Sequence, residues 1–302
     1  MEKIYDVIII GSGPAGMTAA IYARRFNLSV LVLEYNAPGG AMVNTDEISN
    51  YPGFNTINGV DLSMNMYTQM MNLNVDYQGV KVDKVNKIND KNFIVSGGNK
   101  DFYGKSIIIA TGTRNRVLGL ESEKRFFYRG ISWCAICDGP LYKEKDVAVI
   151  GGGNSALSAA LTLSKFVNKV YLVHRREEFR SEKITTDKVL NNQKIELVLN
   201  SNVNDFYGND KLEGITVVDK QGHQRKLNIS GCFEEIGRIP NTEFLDNVAK
   251  TSEGYIIVDE DCKTNVDGIY ACGDVVNKKI RQIATAVNDG AIAGLAISNY
   301  LS

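Results

Sequence analysis

Four groups of residues in this chain have types and spacings that could do chemistry. The sharpest is Trp133-Cys134-Ala135-Ile136-Cys137-Asp138-Gly139, in which two thiols separated by two residues can close a small disulfide ring. At a helix start the helix dipole lowers a thiol pKa toward neutrality, and such a pair exchanges electrons readily. Asp138 beside it is a candidate acid/base for the departing or attacking thiol, with helix-end capping as the plainer alternative. A zinc half-site would need two more ligands. The chain has only His174 and His223, and Cys232, Cys262 and Cys272 stand alone, so no metal is expected. Those three cysteines read as structural.

Two glycine-rich turns form the second and third groups. In Gly11-Ser12-Gly13-Pro14-Ala15-Gly16 the three glycines stand where a tight turn, close pyrophosphate approach and close helix packing each exclude a side chain. A pyrophosphate there would meet free backbone N–H groups and the positive end of a helix dipole. Glu34 follows Gly11 by 23 residues, at the end of the next apolar segment, where a carboxylate can accept hydrogen bonds from both ribose hydroxyls. The second turn, Gly151-Gly152-Gly153-Asn154-Ser155-Ala156, has His174 at the same 23-residue offset.

There the acid is replaced by the fourth group, His174-Arg175-Arg176 with Arg180 one turn on. An acid would repel a 2'-phosphate, whereas guanidinium forks bind one bidentately, so this half should prefer NADPH to NADH. A solvated basic patch balanced by Glu177 and Glu178 is the plainer alternative.

The elements that must position these groups repeat. Each glycine turn is preceded by a β-branched strand and followed by a small-residue helix and a second strand, and the two first glycines lie 140 residues apart. After each unit come short alternating segments with Gly, Asn and Asp turns, NFIVSGGNKDFYG and LEGITVVDKQGHQRKLNI, which predict β-meanders. Each meander leads into another buried strand, within KSIIIATG and within SGCFEEIGRIPN. The strand in GIYACGDV and the helical TAVNDGAIAGLAISNYL have no counterpart in the second half. The expected fold is therefore α/β: two Rossmann-like dinucleotide-binding domains, each three-layered with a β-meander, the second inserted into the first. The expected boundaries are 1–112 with 243–302 for the first domain and 113–242 for the second.

Composition narrows the function class. The 302 residues, 44% hydrophobic and 23% charged, are enough for two ordinary cores. A net charge of -1 gives no reason to expect a nucleic-acid partner or an anionic membrane surface. The longest apolar runs are far short of the roughly 20 residues of a spanning helix. MEKIYDVIIIG runs directly into a strand-and-glycine pattern, so a reducing cytoplasm is the expected location.

In order and spacing, GSGPAG, the ATG at 110–112, CAICDG, GGGNSA, HRREEFR and GIYACGDV followed by RQIATA resemble the low-molecular-weight thioredoxin reductases over nearly the whole chain. The dithiol just before the second fingerprint, inside the inserted domain, separates that family from the glutathione-reductase type. The resemblance implies FAD on Gly11, Ser12, Gly13, Pro14, Ala15, Gly16, Glu34, Tyr35, Gly40, Asn50, Thr111, Gly112, Gly273, Asp274, Arg281, Gln282 and Ile283. It implies NADPH on Gly151, Gly153, Asn154, Ser155 and Ala156, with His174, Arg175, Arg176 and Arg180 near the 2'-phosphate. It further implies a homodimer, thioredoxin or a similar small redox protein as partner, and Cys137 as the sulfur at the flavin. The chain departs from the family pattern at Ala41, Asn154 and Ser158-Ala159. It also lacks the usual Pro-Gly-Glu in the linker LGLESEKRF.

The reaction this implies runs from NADPH through FAD to the Cys134–Cys137 disulfide and on to a protein disulfide. Within the superfamily a peroxiredoxin-type reductase usually carries an extra N-terminal redox domain. Ferredoxin-linked forms and dithiol oxidases would not need the basic cluster. From another class, a flavin-binding redox sensor would be reduced once and stop.

Overall fold

The computed structural model describes residues 3–45, 47–89 and 92–302, and the strand counts below refer to these. The chain divides into two compact units, Met1–Arg114 with Ile239–Ser302, and Asn115–Arg238.

In the first unit a five-stranded parallel sheet runs in the order Ile269–Ala271, Ile107–Ile109, Val7–Ile10, Val30–Glu34, Asp76–Gly79. The fingerprint strand Val7–Ile10 sits at its centre, paired with Val30–Leu33 on one side and Ile107–Ile109 on the other. Successive side chains of a strand face opposite ways, so its unbroken Val-Ile-Ile-Ile must be covered on both faces. Val7, Ile9, Val32 and Ile108 pack with Met17, Ala20 and Ile297 under the helices. Ile8, Ile10, Leu31 and Ile107 pack with Phe93 and Val95 under the meander. The meander strands Val82–Asn89, Asn92–Gly97 and Lys100–Gly104 pair antiparallel.

The helix Pro14–Arg25 begins with proline in its first turn and ends on Arg24 and Arg25, the arrangement its backbone termini favour. The last helix, Ile283–Leu301, lies against it through small residues. A β-carbon on Gly290 would come within 2.2 Å of the Ala15 carbonyl oxygen, and one on Gly294 within 2.8 Å of that of Ala19.

The second unit repeats the plan. Its parallel sheet runs Ile131–Ser132, Gly231–Glu234, Asp146–Ile150, Lys169–Val173, Ile195–Val198, with a meander of Ser201–Tyr207, Gly214–Asp219 and Gln224–Asn228. Val147, Val149, Leu157, Leu163 and Phe233 form the helix-side core, and Trp133, Ala148, Ile150, Phe206 and Ile215 the meander-side core. The fold is thus α/β with two Rossmann-like units, as the strand, turn and helix repeat indicated.

Candidate active site

The dithiol turn grows out of the edge strand Ile131–Ser132. Cys134 stands at the N-cap of the short helix Ala135–Asp138 and is joined to Cys137 by a disulfide, with 5.3 Å between the Cα atoms. The Cys137 backbone N–H donates to the Cys134 sulfur at 3.2 Å, and the Asp138 N–H to the Cys134 carbonyl at 3.0 Å. Ser132 knits the turn together. Its hydroxyl donates to Asp138 Oδ2 at 2.6 Å and accepts the Cys134 N–H at 3.1 Å. Asp138, singled out from sequence as an acid/base, is therefore tied to the backbone of Cys134 through one hydroxyl. Both cysteines are half-buried, while Ile136 between them is 64% exposed. Nothing in the sequence marked Ser132, because its role depends on a strand end folding back over the turn.

The other thiols are inert by burial. Cys232 and Cys272 are buried completely and pushed well above the ordinary thiol range, and Cys262 is pushed up to about 12, in each case first by loss of solvent. No cluster of His, Cys, Asp and Glu among the described residues could hold a metal ion.

In the first unit the glycine loop meets both neighbouring segments. Gly11 has φ +104°, and a β-carbon there would lie 2.4 Å from the Ala110 carbonyl oxygen. One on Gly16 would lie 1.9 Å from that of Gly11, whereas Gly13 faces open space. The N-terminus of Pro14–Arg25 carries no side-chain cap, leaving its N–H groups available to an anion. The Ser12 N–H and hydroxyl both donate to Glu34 Oε2, at 2.7 and 3.1 Å. Gly40 comes within 3.2 Å of Gly13 Cα, measured from where its β-carbon would be, and Gly273 packs in the same way against Ala15 at 2.8 Å.

Apart from Tyr35, the remaining residues of that set fall in three further knots. Asn50 donates to Gln282 at 3.2 Å, and Gln282 caps the helix Ile283–Leu301 through a capping box with Thr285. Arg281 donates from Nε to the Asp274 carbonyl and from a terminal nitrogen to that of Val276, both at 3.2 Å, and lies 4.1 Å over the Tyr255 ring. Tyr35 is 67% exposed. Thr111 and Gly112 are held by a residue to which the sequence assigned no role, Asn241. Asn241 donates to the Thr111 carbonyl at 2.9 Å and from its own N–H to that of Gly112 at 3.1 Å, and its carbonyl accepts the Thr111 hydroxyl at 2.7 Å.

The second glycine loop repeats the steric lock: Gly151 has φ +144°, and a β-carbon there would lie 2.5 Å from the Glu235 carbonyl oxygen. Gly153 has only the Arg180 carbonyl at 4.0 Å, and Arg180 donates its N–H to the Gly152 carbonyl at 2.7 Å. Asn154 accepts from the Ser181 hydroxyl at 2.7 Å and the Glu182 N–H at 3.0 Å, fastening the segment after the basic cluster to the loop. Arg175, Arg176 and Arg180 are exposed, but His174 is buried. Its ring sits beneath Gly152, bonded to the Glu178 carbonyl at 3.2 Å and stacked on Phe179. Burial, and then the three arginines, hold its pKa below the usual value despite that carbonyl, so it is neutral near pH 7. Among the four, His174 shapes the loop and the arginines supply the charge.

The segment expected to be a mere linker is structured. Glu123, only 1% exposed, accepts the N–H groups of Leu118, Gly119 and Leu120, and Phe126 is fully buried. A single carboxylate closes a turn that the sequence could have closed with Pro-Gly.

Residues 5–290 match the family model described as pyridine nucleotide-disulphide oxidoreductase, and the chain belongs to that family. It is 41% identical over 304 residues to a thioredoxin reductase of Listeria monocytogenes, covering 99% of this chain and 95% of the relative. It is 40% identical to one of Bacillus subtilis, covering 99% and 96%. A crystal structure of thioredoxin reductase from Streptococcus pyogenes superposes with a TM-score of 0.93 at 42% identity, over 100% of this chain and 99% of that one.

Proposed function

We propose that the chain is a thioredoxin-disulfide reductase that draws electrons from NADPH through FAD and passes them out through Cys134 and Cys137. The observation that carries this is the Cys134–Cys137 disulfide in the same compact unit as the second glycine loop and its arginines. The names of its relatives point the same way.

FAD would lie on the first unit. The open face at Gly13, the uncapped helix start and the carboxylate of Glu34 suit a pyrophosphate and an adenosine ribose. The knots at Asn50–Gln282, Thr111–Asn241 and Arg281–Asp274 would line the rest of that molecule. NADPH would lie on Gly151, Gly153, Asn154, Ser155 and Ala156, with Arg175, Arg176 and Arg180 binding the 2'-phosphate over the buried His174. When bound, the flavin supplies two-electron transfer between nicotinamide and disulfide.

Reduction of the Cys134–Cys137 bond leaves two thiols. One thiolate attacks a sulfur of the partner's disulfide to form a mixed disulfide. The second then attacks that bond, closes the ring again and releases the partner as a dithiol carrying the two electrons. The N–H of Cys137, aimed at the Cys134 sulfur, favours negative charge there. Asp138, fixed by the Ser132 hydroxyl, is placed to hold the proton that a departing sulfur takes. The partner would be thioredoxin or a similar small redox protein, met in a reducing cytoplasm, and the enzyme would act as a homodimer.

The test mixes the yellow protein anaerobically with NADPH or NADH and follows flavin bleaching and turnover with a thioredoxin. In Cys137→Ser, bleaching should persist while thioredoxin reduction is lost. A flavin that stays oxidised with both nicotinamides but bleaches with reduced ferredoxin would overturn the NADPH assignment.

A further inference from the structure

The meander-side core of Asn115–Arg238 holds two carboxyl groups that thiol exchange does not use. Glu234, 2% exposed, ends the strand Gly231–Glu234, and Glu123, 1% exposed, begins the turn Glu123–Phe126. Glu123 accepts three backbone N–H groups, at 2.8, 2.7 and 3.0 Å. Glu234 Oε2 accepts the indole N–H of Trp133 at 3.1 Å, while its buried Oε1 faces no donor. Glu123 is the charged neighbour that acts on the Glu234 carboxyl, by its charge and by a side-chain hydrogen bond.

Two ionised carboxylates cannot share an apolar pocket at bearable cost, so one of them keeps a proton. Three N–H donors stabilise charge on Glu123, which leaves the proton to Glu234. A proton on Oε1 also supplies the donor that this oxygen lacks. The Glu234 carboxyl feels Glu123 and the Trp133 indole, and the guanidinium of Arg238 donates to the Trp133 carbonyl at 3.4 Å. Ile150 is the register neighbour of Glu234 on the adjoining strand. The other titratable group turned toward the pair is the Cys232 thiol, and Glu235 next along is influenced by Arg238. Trp133, which immediately precedes Cys134, is otherwise held edge-on by Phe127 and Tyr128 at 5.1 and 5.6 Å.

We propose that Glu234 is a neutral acid that donates its proton to Glu123 and accepts the Trp133 indole N–H, a clamp that positions the strand end carrying Cys134. Glu234 is then a positioning residue for the dithiol. That functional half rests on Cys134 and Cys137 being the redox pair, while the clamp itself does not. Burial, reinforced by the neighbouring Glu123, pushes the Glu234 pKa up to about 9. The clamp should therefore open above that pH.

Trp133 is the only tryptophan, so its emission reports the clamp directly. The holoenzyme, excited at the red edge of the indole band, would be titrated from neutral pH into the alkaline range as wild type, Glu234→Gln, Glu234→Ala and Glu123→Gln. Wild type should show an emission transition centred near 9. Glu234→Gln, whose amide can donate to Glu123 and accept from the indole, should keep the neutral-pH spectrum and lose the transition. Glu123→Gln removes the neighbouring charge and should move the midpoint to lower pH. Glu234→Ala should shift the neutral-pH emission to the red and slow disulfide-dye reduction about tenfold, with the Gln variant rescuing the rate. The same transition in Glu234→Gln, or a wild-type neutral spectrum in Glu234→Ala, would overturn the clamp. A normal titration with dye reduction unaffected in Cys137→Ser would leave the clamp standing and overturn the redox assignment instead.

Discussion

A β-carbon on Gly152 would lie 2.2 Å from the imidazole of His174. The middle glycine of the second loop is thus needed for a neighbour 22 residues away, and the histidine at the head of the basic cluster serves as the floor on which that loop rests. Gly152→Ala should force the ring aside, cost about 1–3 kcal/mol in urea unfolding, and raise the KM for NADPH. An unchanged unfolding midpoint would show that the ring has room to move.

The three exposed arginines make a separate prediction. Replacing Arg175, Arg176 and Arg180 in turn by Gln should lower kcat/KM with NADPH by roughly tenfold or more at the residues that grip the 2'-phosphate, about 1.5–3 kcal/mol for a charged hydrogen bond. The rate with NADH should stay where it is. Equal losses with both nucleotides would mean that the cluster shapes the loop rather than reading the phosphate.

Gly13 and Gly16 should part company when each is changed to alanine. A β-carbon at Gly13 meets nothing, whereas one at Gly16 would strike the Gly11 carbonyl oxygen at 1.9 Å. Gly13→Ala should fold with wild-type secondary structure yet purify with little flavin, because the new methyl fills the space a pyrophosphate would occupy. Gly16→Ala should lose both fold and colour. Circular dichroism and the visible spectrum separate the two cases.

Ser132→Ala removes one hydroxyl and with it both the bond to Asp138 and the acceptor for the Cys134 N–H. Flavin bleaching by NADPH should be unaffected, while thioredoxin reduction slows by about tenfold, the scale of a misplaced acid/base. Rapid-mixing measurements of the two half-reactions would detect the split.

Stability should fall as pH rises above neutral. Glu234 titrates near 4.5 when unfolded and about 9 when folded, so between those values the native state binds the extra proton. Raising the pH therefore favours unfolding, by up to roughly 1.4 kcal/mol per pH unit for this one group. His174, with its folded pKa lowered, acts in the opposite sense, but its contribution is already complete above its unfolded value of 6.5. The urea midpoint should decline between pH 7 and 9 in wild type and flatten in Glu234→Gln.

The repeat of strand, glycine turn, helix and strand was legible because each piece depends on local chemistry. Glycines fit where carbonyl oxygens crowd them, and β-branched runs must be buried on both faces. The dithiol and the arginines were legible for the same reason, being contiguous. Asn241 and Glu234 were not, because each acts on a partner that only the folded chain brings near: Asn241 holds Thr111 from 130 positions away, and Glu234 meets Trp133 from 101. Ser132 is close in sequence to Asp138 and Cys134, but nothing in a serine's type announces which way the strand end turns its hydroxyl. Glu123 was hidden differently, in a segment read only as a linker, where one carboxylate in fact closes a turn. His174 was found by its offset, but its burial came from Gly152, which gave no outward sign.

The burial of Cys232, Cys262 and Cys272 bears on how the protein meets electrophiles. Three of its five cysteines are shielded and stay protonated, so a thiol-directed alkylating agent, an arsenical or a gold compound finds a single address, and only after that address has been reduced. Inactivation should then follow a simple stoichiometry, one bidentate thiophile per chain, and an oxidised resting protein should pass through the same reagents untouched.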